Sequence, residues 1–136
     1  MHKLIETHAE RAPDATAVVW KNERLTYGEL NTRANQLAHF LRKQGVGPEI
    51  IVGVYVERSF EMIIGVLGVL KAGGAYLPLD SNYPAERLQH MVGDAGVSIL
   101  ITQENLKTKT LEFAVQDVVC LDTDWSAISR ESAQNP

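Results

Sequence analysis

The sequence has few of the features that mark a secreted, disulfide-bonded or metal-binding protein. Cys120 is its single cysteine, so no disulfide can form within the chain and a reducing compartment is expected. Because Cys120 lies in an apolar run, we interpret it as a small buried side chain rather than a reactive thiol. The four histidines, at positions 2, 8, 39 and 90, are too scattered to predict a metal site.

Long apolar runs and an excess of positive charge are also missing. The most apolar stretch, residues 62–70, is far shorter than the roughly 20 residues that span a bilayer, and the N-terminus lacks the apolar core of a signal peptide. Thirteen basic and seventeen acidic side chains give a formal net charge of −4. This balance does not favour binding to nucleic acid or to an anionic membrane. We therefore expect a soluble, cytoplasmic protein with neither as a partner.

What is present is a regular alternation of strand and helix patterns within 136 residues. Helical spacing of apolar residues predicts helices over residues 2–11, between Thr26 and Gly45, over 60–72 and from Pro84 to about residue 95. Strands are predicted at 17–20, 24–26, 50–56, 75–79, 97–102 and 118–121, with a weak helix over 103–110 and a loop or linker from residue 126. This order predicts an α/β fold: a largely parallel sheet with helices on both faces and right-handed crossovers, preceded by a helix and a β-hairpin.

The helix that follows Thr26 has a clear start and a clear apolar face. Thr26 and Glu29 form the capping-box pattern, in which the two residues pair each other's unbonded backbone N–H groups. Gly45 supplies the left-handed residue that favours a helix end. The apolar face comprises Leu30, Ala34, Leu37, Ala38 and Leu41, and the residues placed off that face are Asn31, Arg33, Asn35 and Arg42.

The predicted helix over residues 60–72 is apolar on nearly every side, which is typical of a buried helix. Ser59 can cap its first turn. We expect Gly65 and Gly68 to let a neighbouring backbone come close.

A search for phosphate-binding and catalytic patterns finds none. The P-loop requires Gly-Lys followed by Ser or Thr, whereas Lys71 is followed by Ala72 and the nearby glycines lie within or after a helix. The Gly45-Val46-Gly47 segment follows a helix and precedes a strand, which reverses the order of the dinucleotide fingerprint. The serines lack the nucleophile elbow of the α/β-hydrolases, and the acidic residues are spread over different elements. The residue pattern alone therefore predicts an α/β unit and indicates no active site.

Two segments resemble the motifs of a known family. Residues 25–30, Leu-Thr-Tyr-Gly-Glu-Leu, resemble the first core motif of adenylation domains, Leu-(Thr/Ser)-Tyr-x-Glu-Leu. Residues 70–80, Leu-Lys-Ala-Gly-Gly-Ala-Tyr-Leu-Pro-Leu-Asp, resemble the second, and Tyr83, Pro84 and Arg87 continue its pattern. In order and spacing, the chain from about residue 4 onward is similar to adenylation domains of nonribosomal peptide synthetases. The second motif's form favours these over acyl-CoA synthetases or luciferases. The residues that carry the two motifs are Leu25, Thr26, Tyr27, Glu29, Leu30, Leu70, Lys71, Ala72, Gly73, Ala75, Tyr76, Pro78 and Asp80.

The resemblance implies an enzyme that uses ATP and magnesium to turn an amino acid into its aminoacyl-adenylate, with release of pyrophosphate. The acyl group would then pass to a phosphopantetheine thiol on a carrier domain. In the family, the phosphate loop, the adenine- and ribose-binding residues, the catalytic lysine and the amino-acid pocket lie downstream of both motifs. We therefore expect residues 1–125 to be a partial adenylation domain, 126–136 to be a linker towards the phosphate loop, and no residue here to be catalytic, cofactor-binding or metal-binding.

Both motifs have structural interpretations that need no substrate. Gly73 and its neighbour let the chain reverse from a helix into a strand, and Pro78 is expected at a sheet edge or strand end. Asp80 can hold the turn before Pro84. Lys71, in the last turn of a helix, complements the helix dipole without any ligand.

Two other functions remain open at this point. The chain is alternatively a non-catalytic interaction module that docks on a partner chain carrying the missing motifs, or on an upstream condensation domain, through apolar surface around residues 60–70. A third alternative is an inactive product of a decayed or cut gene. In the leading interpretation, the partners are the rest of the adenylation domain and the carrier and condensation domains of the same synthetase.

Overall fold

The N-terminal part of the chain forms a helix and a hairpin, as predicted. The computed structural model describes residues 2–20, 22–57, 60–110, 113 and 115–136. Helix α1 spans His2–Arg11, and strand β1, Thr16–Trp20, pairs antiparallel with β2, Glu23–Thr26. The predicted cap Ser59 lies outside the described residues.

Four short strands form a parallel sheet. They are β3 (Ile51–Val54), β4 (Ala75–Pro78), β5 (Ile99–Thr102) and β6 (Asp117–Cys120), in the order β4-β3-β5-β6. The prediction of a parallel α/β sheet is confirmed. Pro78 is the last residue of the edge strand β4, where a residue without a backbone N–H is tolerated.

Helices cover both faces of this sheet. The longer ones are α2 (Tyr27–Lys43), α3 (Phe60–Ala72) and α4 (Ala85–Ala95). A 3-10 turn at Glu104–Leu106 leads into α5 (Lys107–Thr110), and α6 (Trp125–Ile128) follows the last strand. The bounds predicted for α3 agree with those observed.

The strand side chains alternate between two apolar cores. Val52, Val54 and Ile101 belong to the larger core, which α2 and α3 complete, whereas Leu100 and Leu88 belong to a smaller core beneath α4. Successive strand residues point to opposite faces, so an apolar run such as residues 50–56 supplies both cores. This confirms that β3 is covered on both sides.

The capping box that begins α2 is present as predicted. Thr26 Oγ1 accepts a hydrogen bond from the Glu29 N–H at 3.1 Å, and Glu29 Oε1 accepts one from the Thr26 N–H at 3.3 Å. All five predicted apolar-face residues of α2 are buried. Gly45, just beyond the helix, has φ of +99°.

The glycines of α3 allow close packing, although not against a backbone as predicted. A Cβ placed on Gly68 would lie 2.6 Å from Leu37 Cδ2, and one placed on Gly65 would lie 3.3 Å from Val54 Cγ1. The neighbouring groups are therefore side chains, because Leu37 of α2 projects directly into the space that Gly68 leaves.

The C-terminal segment is more ordered than the predicted loop. Residues 125–128 form α6, and Ile128 is fully buried in the larger core. Residues 129–136 contain neither helix nor strand. The loop prediction therefore applies only after residue 128.

Candidate functional site

A cleft of about 440 Å³ lies beyond the carboxyl ends of β3 and β4. This edge of a parallel sheet is where ligand sites of α/β proteins usually form. Its polar lining comes from the loop after β4, where Asp80 Oδ1 accepts the Asn82 N–H at 2.8 Å. That bond fits the expectation that Asp80 holds the turn before Pro84. No nucleophile and base, and no pair of acids, face each other among the described lining residues.

The first motif lies where β2 passes into α2. Leu25 and Leu30 are buried, and the Tyr27 ring stacks on the His8 ring of α1 with centroids 4.9 Å apart. With the capping box, these contacts connect α1, the hairpin and α2. Such contacts fit structural support, which for these residues stays a prediction.

The second motif runs from the end of α3 through β4 to the cleft. Leu70 is half-buried and Ala72 buried, Gly73 has φ of +88°, Ala75 and Tyr76 are exposed on β4, and Pro78 and Asp80 follow. The positive φ explains why glycine is required at position 73.

Lys71 differs from its predicted environment. It lies in the last turn of α3, as expected, but its side chain is fully buried and forms an ion pair with Glu6 of α1, Nζ to Oε1 at 2.5 Å. Burial lowers the pKa of Lys71, and the hydrogen bond and negative charge of Glu6 oppose that shift. Glu6 precedes Lys71 by 65 positions, so no local pattern could have indicated the pair.

Asn35 is a second polar residue that the sequence misplaced. It was expected off the apolar face of α2, yet only 1% of it is exposed. Its amide group donates to the Ala133 carbonyl and to Asn135 Oδ1 in the C-terminal segment. The available signal was its position beside Ala34 and Ala38, within the buried arc of the helix.

Cys120 is buried, as predicted, and burial raises the pKa of its thiol. Within residues 2–20, 22–57, 60–110, 113 and 115–136, no three His, Cys, Asp or Glu side chains group as a metal site would require. In the same ranges, none of the helices combines the length and apolar character that a bilayer crossing requires.

One face of α3 is less buried than predicted. An apolar groove of about 320 Å³ runs between α1 and α3, lined by Ile5, Met62, Ile63, Val66 and Leu67. Ile63 and Val66 are half-buried, whereas Leu67 reaches the core. The prediction of a buried α3 therefore holds for one side of the helix only.

Comparison with known proteins assigns residues 5–136 to one family. The sequence model of the family described as AMP-binding enzyme matches residues 5–136. The chain belongs to the AMP-binding enzyme family. It is 54% identical over 121 residues to gramicidin S synthase 2 of Brevibacillus brevis, covering 89% of this chain and 3% of that protein. It is 47% identical over 123 residues to zwittermicin A synthase ZmaJ of Bacillus cereus, covering 90% of this chain and 23% of that one.

Solved structures place this AMP-binding chain among nonribosomal peptide synthetases. The synthetase FmoA3 in its α-methyl-L-serine-AMP-bound form matches with a TM-score of 0.89 and 38% identity, over 98% of this chain and 15% of that one. The Klebsiella oxytoca NpsA N-terminal subdomain matches with a TM-score of 0.82 and 25% identity, over all of this chain and 34% of that one. The chain thus corresponds to the N-terminal part of an adenylation domain and spans a small share of its relatives.

Proposed function

We propose that these residues supply the N-terminal part of an adenylation domain that activates an amino acid with ATP for nonribosomal peptide synthesis in the cytoplasm. The proposal depends chiefly on the match to FmoA3, a synthetase observed with an aminoacyl-AMP bound, over 98% of the chain. The complete domain would load its aminoacyl group on the phosphopantetheine of a carrier domain. A condensation domain of the same synthetase would be a further partner.

The cleft beyond β4 does not fit a triphosphate. The described residues contain no cluster of metal-ligating side chains. The cleft beyond β4 has no lysine or arginine among its described lining residues to bind a triphosphate. We propose that the rest of the domain binds ATP and magnesium.

The purified 136-residue chain is expected to show no amino-acid-dependent ATP–pyrophosphate exchange. Circular dichroism would confirm that the chain is folded. A chimaera in which it replaces the matching stretch of ZmaJ is expected to catalyse exchange with the amino-acid preference of ZmaJ, because the resemblance implies that the amino-acid pocket lies downstream. Exchange by the repurified 136-residue chain alone would contradict the expectation that this chain is inactive. A folded but inactive chimaera would contradict its proposed role in the adenylation domain.

The apolar groove between α1 and α3 favours a second candidate function, docking on a separate chain that carries the rest of the domain. Its described lining is entirely apolar, and the NpsA subdomain is about three times as long as the stretch that this chain matches. An apolar groove of this kind is typical of a surface that meets another protein.

We expect the 136-residue chain to restore exchange when it is mixed with the complementary C-terminal part of ZmaJ. Ile63→Glu should abolish this complementation, since it places a charge in the groove. Leu4→Glu is the matched control, because Leu4 is 61% exposed and lies outside the groove lining. Equal complementation by both variants would exclude the groove as the docking surface.

A further inference from the structure

One face of α2 carries four polar side chains at four-residue intervals. Positions four apart lie on the same side of a helix. Residues 129–135, here called the strap, run along this face after α6, and Gln36 Nε2 donates to the Ser129 carbonyl at 3.1 Å. We call the four side chains the α2 stripe: Asn31, Asn35, His39 and Lys43.

Two asparagines of the stripe hold the end of the strap. Asn35 Nδ2 donates to the Ala133 carbonyl at 2.7 Å and to Asn135 Oδ1 at 3.1 Å. Asn31 Nδ2 donates to the same Asn135 oxygen at 3.2 Å. One strap side chain therefore accepts from two successive turns of the helix.

The other two stripe residues extend the contact along α2. His39 Nε2 lies 3.0 Å from the Gln134 carbonyl oxygen, which can only accept, so this nitrogen is the donor. Lys43 Nζ lies 2.9 Å from the Glu131 carboxylate. Every stripe residue thus acts as a hydrogen-bond donor to the strap.

Apolar packing does not hold the strap. Ile128 is the last buried residue, and residues 129–136 are exposed apart from the half-buried Glu131. Asn35, by contrast, is buried, and a desolvated amide that loses its partner is costly. The path of the strap therefore depends on the donors of α2, with Asn35 as the central one.

The same two asparagines, Asn31 and Asn35, also have side-chain oxygen atoms without a hydrogen-bond partner among the described residues. Asn31 Oδ1 and Asn35 Oδ1 are buried and accept no hydrogen bond from the described residues. Buried acceptors are nearly always paired in folded proteins. Both acceptors belong to side chains that donate to the strap.

We propose that Asn35, with Asn31 and His39, is a positioning residue that sets where the chain leaves the strap for the phosphate-binding loop of the complete domain. The inference rests on the proposed function and on the resemblance to adenylation domains, which implies a phosphate-binding loop downstream of both motifs. Asn35 touches no substrate and acts through the strap. A displacement of about 1 Å in a positioning element can lower a rate by about a hundredfold.

The first test measures backbone order in the 136-residue chain by ¹⁵N relaxation. Wild-type strap amides should have order parameters near those of rigid backbone, about 0.85, and Asn135→Ala should lower them towards about 0.6. Asn135→Asp should keep them high, because its carboxylate still accepts from both amides. Thr32→Ala is the control, since this exposed α2 residue makes no hydrogen bond to the described strap. Unchanged order in Asn135→Ala would overturn the proposal.

The second test measures exchange kinetics in the ZmaJ chimaera. Asn135→Ala and Asn35→Asp should lower kcat/KM for ATP by about tenfold, as expected for the loss of one or two hydrogen bonds, and change KM for the amino acid less than about twofold. The Asn135→Asp variant should have a kcat/KM for ATP close to that of the wild-type chimaera. Because Asn135 is exposed, its variants test the strap even if Asn35→Asp fails to fold.

The two tests separate the inference from the function on which it rests. Loss of strap order with unchanged ATP kinetics would refute the positioning role. An inactive wild-type chimaera would refute the proposed function, and with it the role towards ATP, while the relaxation data would still decide whether the α2 stripe holds the strap.

Discussion

Replacing Glu6 with alanine is expected to lower the free energy of unfolding by about 3 kcal/mol at neutral pH. The change leaves the ammonium of Lys71, whose side chain is fully buried, without its partner. Removing one partner of a buried pair costs about 3–5 kcal/mol. We expect the lower end, because the Glu6 side chain is 21% exposed and α1 has no fully buried residue among those described. Urea unfolding followed by circular dichroism measures the difference.

The same variant should recover stability as pH rises. Without Glu6, the hydrogen bond and charge that oppose the lowered pKa of Lys71 are gone, so the folded-state pKa falls further below the ordinary value of 10.5. Between those two pKa values the unfolded chain binds more protons than the folded chain, so stability increases with pH. If the free energy of unfolding lost in Glu6→Ala stayed constant between about pH 7 and pH 10, the result would contradict a charged, buried Lys71.

Two further variants test whether the loss of stability in Glu6→Ala comes from the buried ion pair. Glu131→Ala removes the partner of Lys43, whose side chain is 71% exposed, and should cost less than about 1 kcal/mol. The double variant Glu6→Leu/Lys71→Met replaces both charges with apolar groups of similar size and should recover most of the loss. It should also lack the rise in stability with pH.

Replacing Gly68 with alanine is expected to destabilise the chain by about 2–3 kcal/mol, as overpacking in a tight core does. The new Cβ would lie 2.6 Å from Leu37 Cδ2 and 2.7 Å from Leu37 Cγ. Leu37 is fully buried, and its Cβ would lie 3.1 Å from the new atom, so the crowding is not confined to the far end of the side chain. Urea unfolding gives the effect.

Gly93→Ala is the matched control, because it is the same chemical change inside α4 at a position with nothing within 4 Å. It should stabilise the chain by about 0.5–1 kcal/mol, since alanine costs less backbone entropy in a helix. Leu37→Ala alone should destabilise the chain because it leaves a cavity. In the Gly68→Ala background the same substitution should lower the free energy of unfolding by less. Equal effects of the two glycine substitutions, or additive effects at positions 37 and 68, would contradict direct contact.

Local pattern was sufficient for the strands and for the helices other than α6, which lies where a loop was predicted. Apolar spacing, the Thr26 and Glu29 cap and the glycine at position 45 determine α2 from residues close in sequence, and the ends of α3 were predicted as observed. The two motifs, which resemble those of adenylation domains, were sufficient to predict the family that the comparisons show.

The environments of individual polar residues could not be predicted from the local sequence pattern. Lys71 was expected to act on the helix dipole, and Asn35 was expected away from the apolar face. Their partners lie far along the chain: Glu6 is 65 positions from Lys71, and Ala133 is 98 positions from Asn35. A buried polar group is stable only when a partner meets it, and which distant segment meets it is settled when helices pack.

The sequence by itself thus determined the α/β class, the elements other than α6 and the family, because these follow from short-range spacing and from motifs along the chain. Only the tertiary structure decided that α1 covers Lys71, that Leu37 fills the space at Gly68, and that α2 holds the strap. These are contacts between elements, and their geometry depends on side-chain packing across long sequence separations.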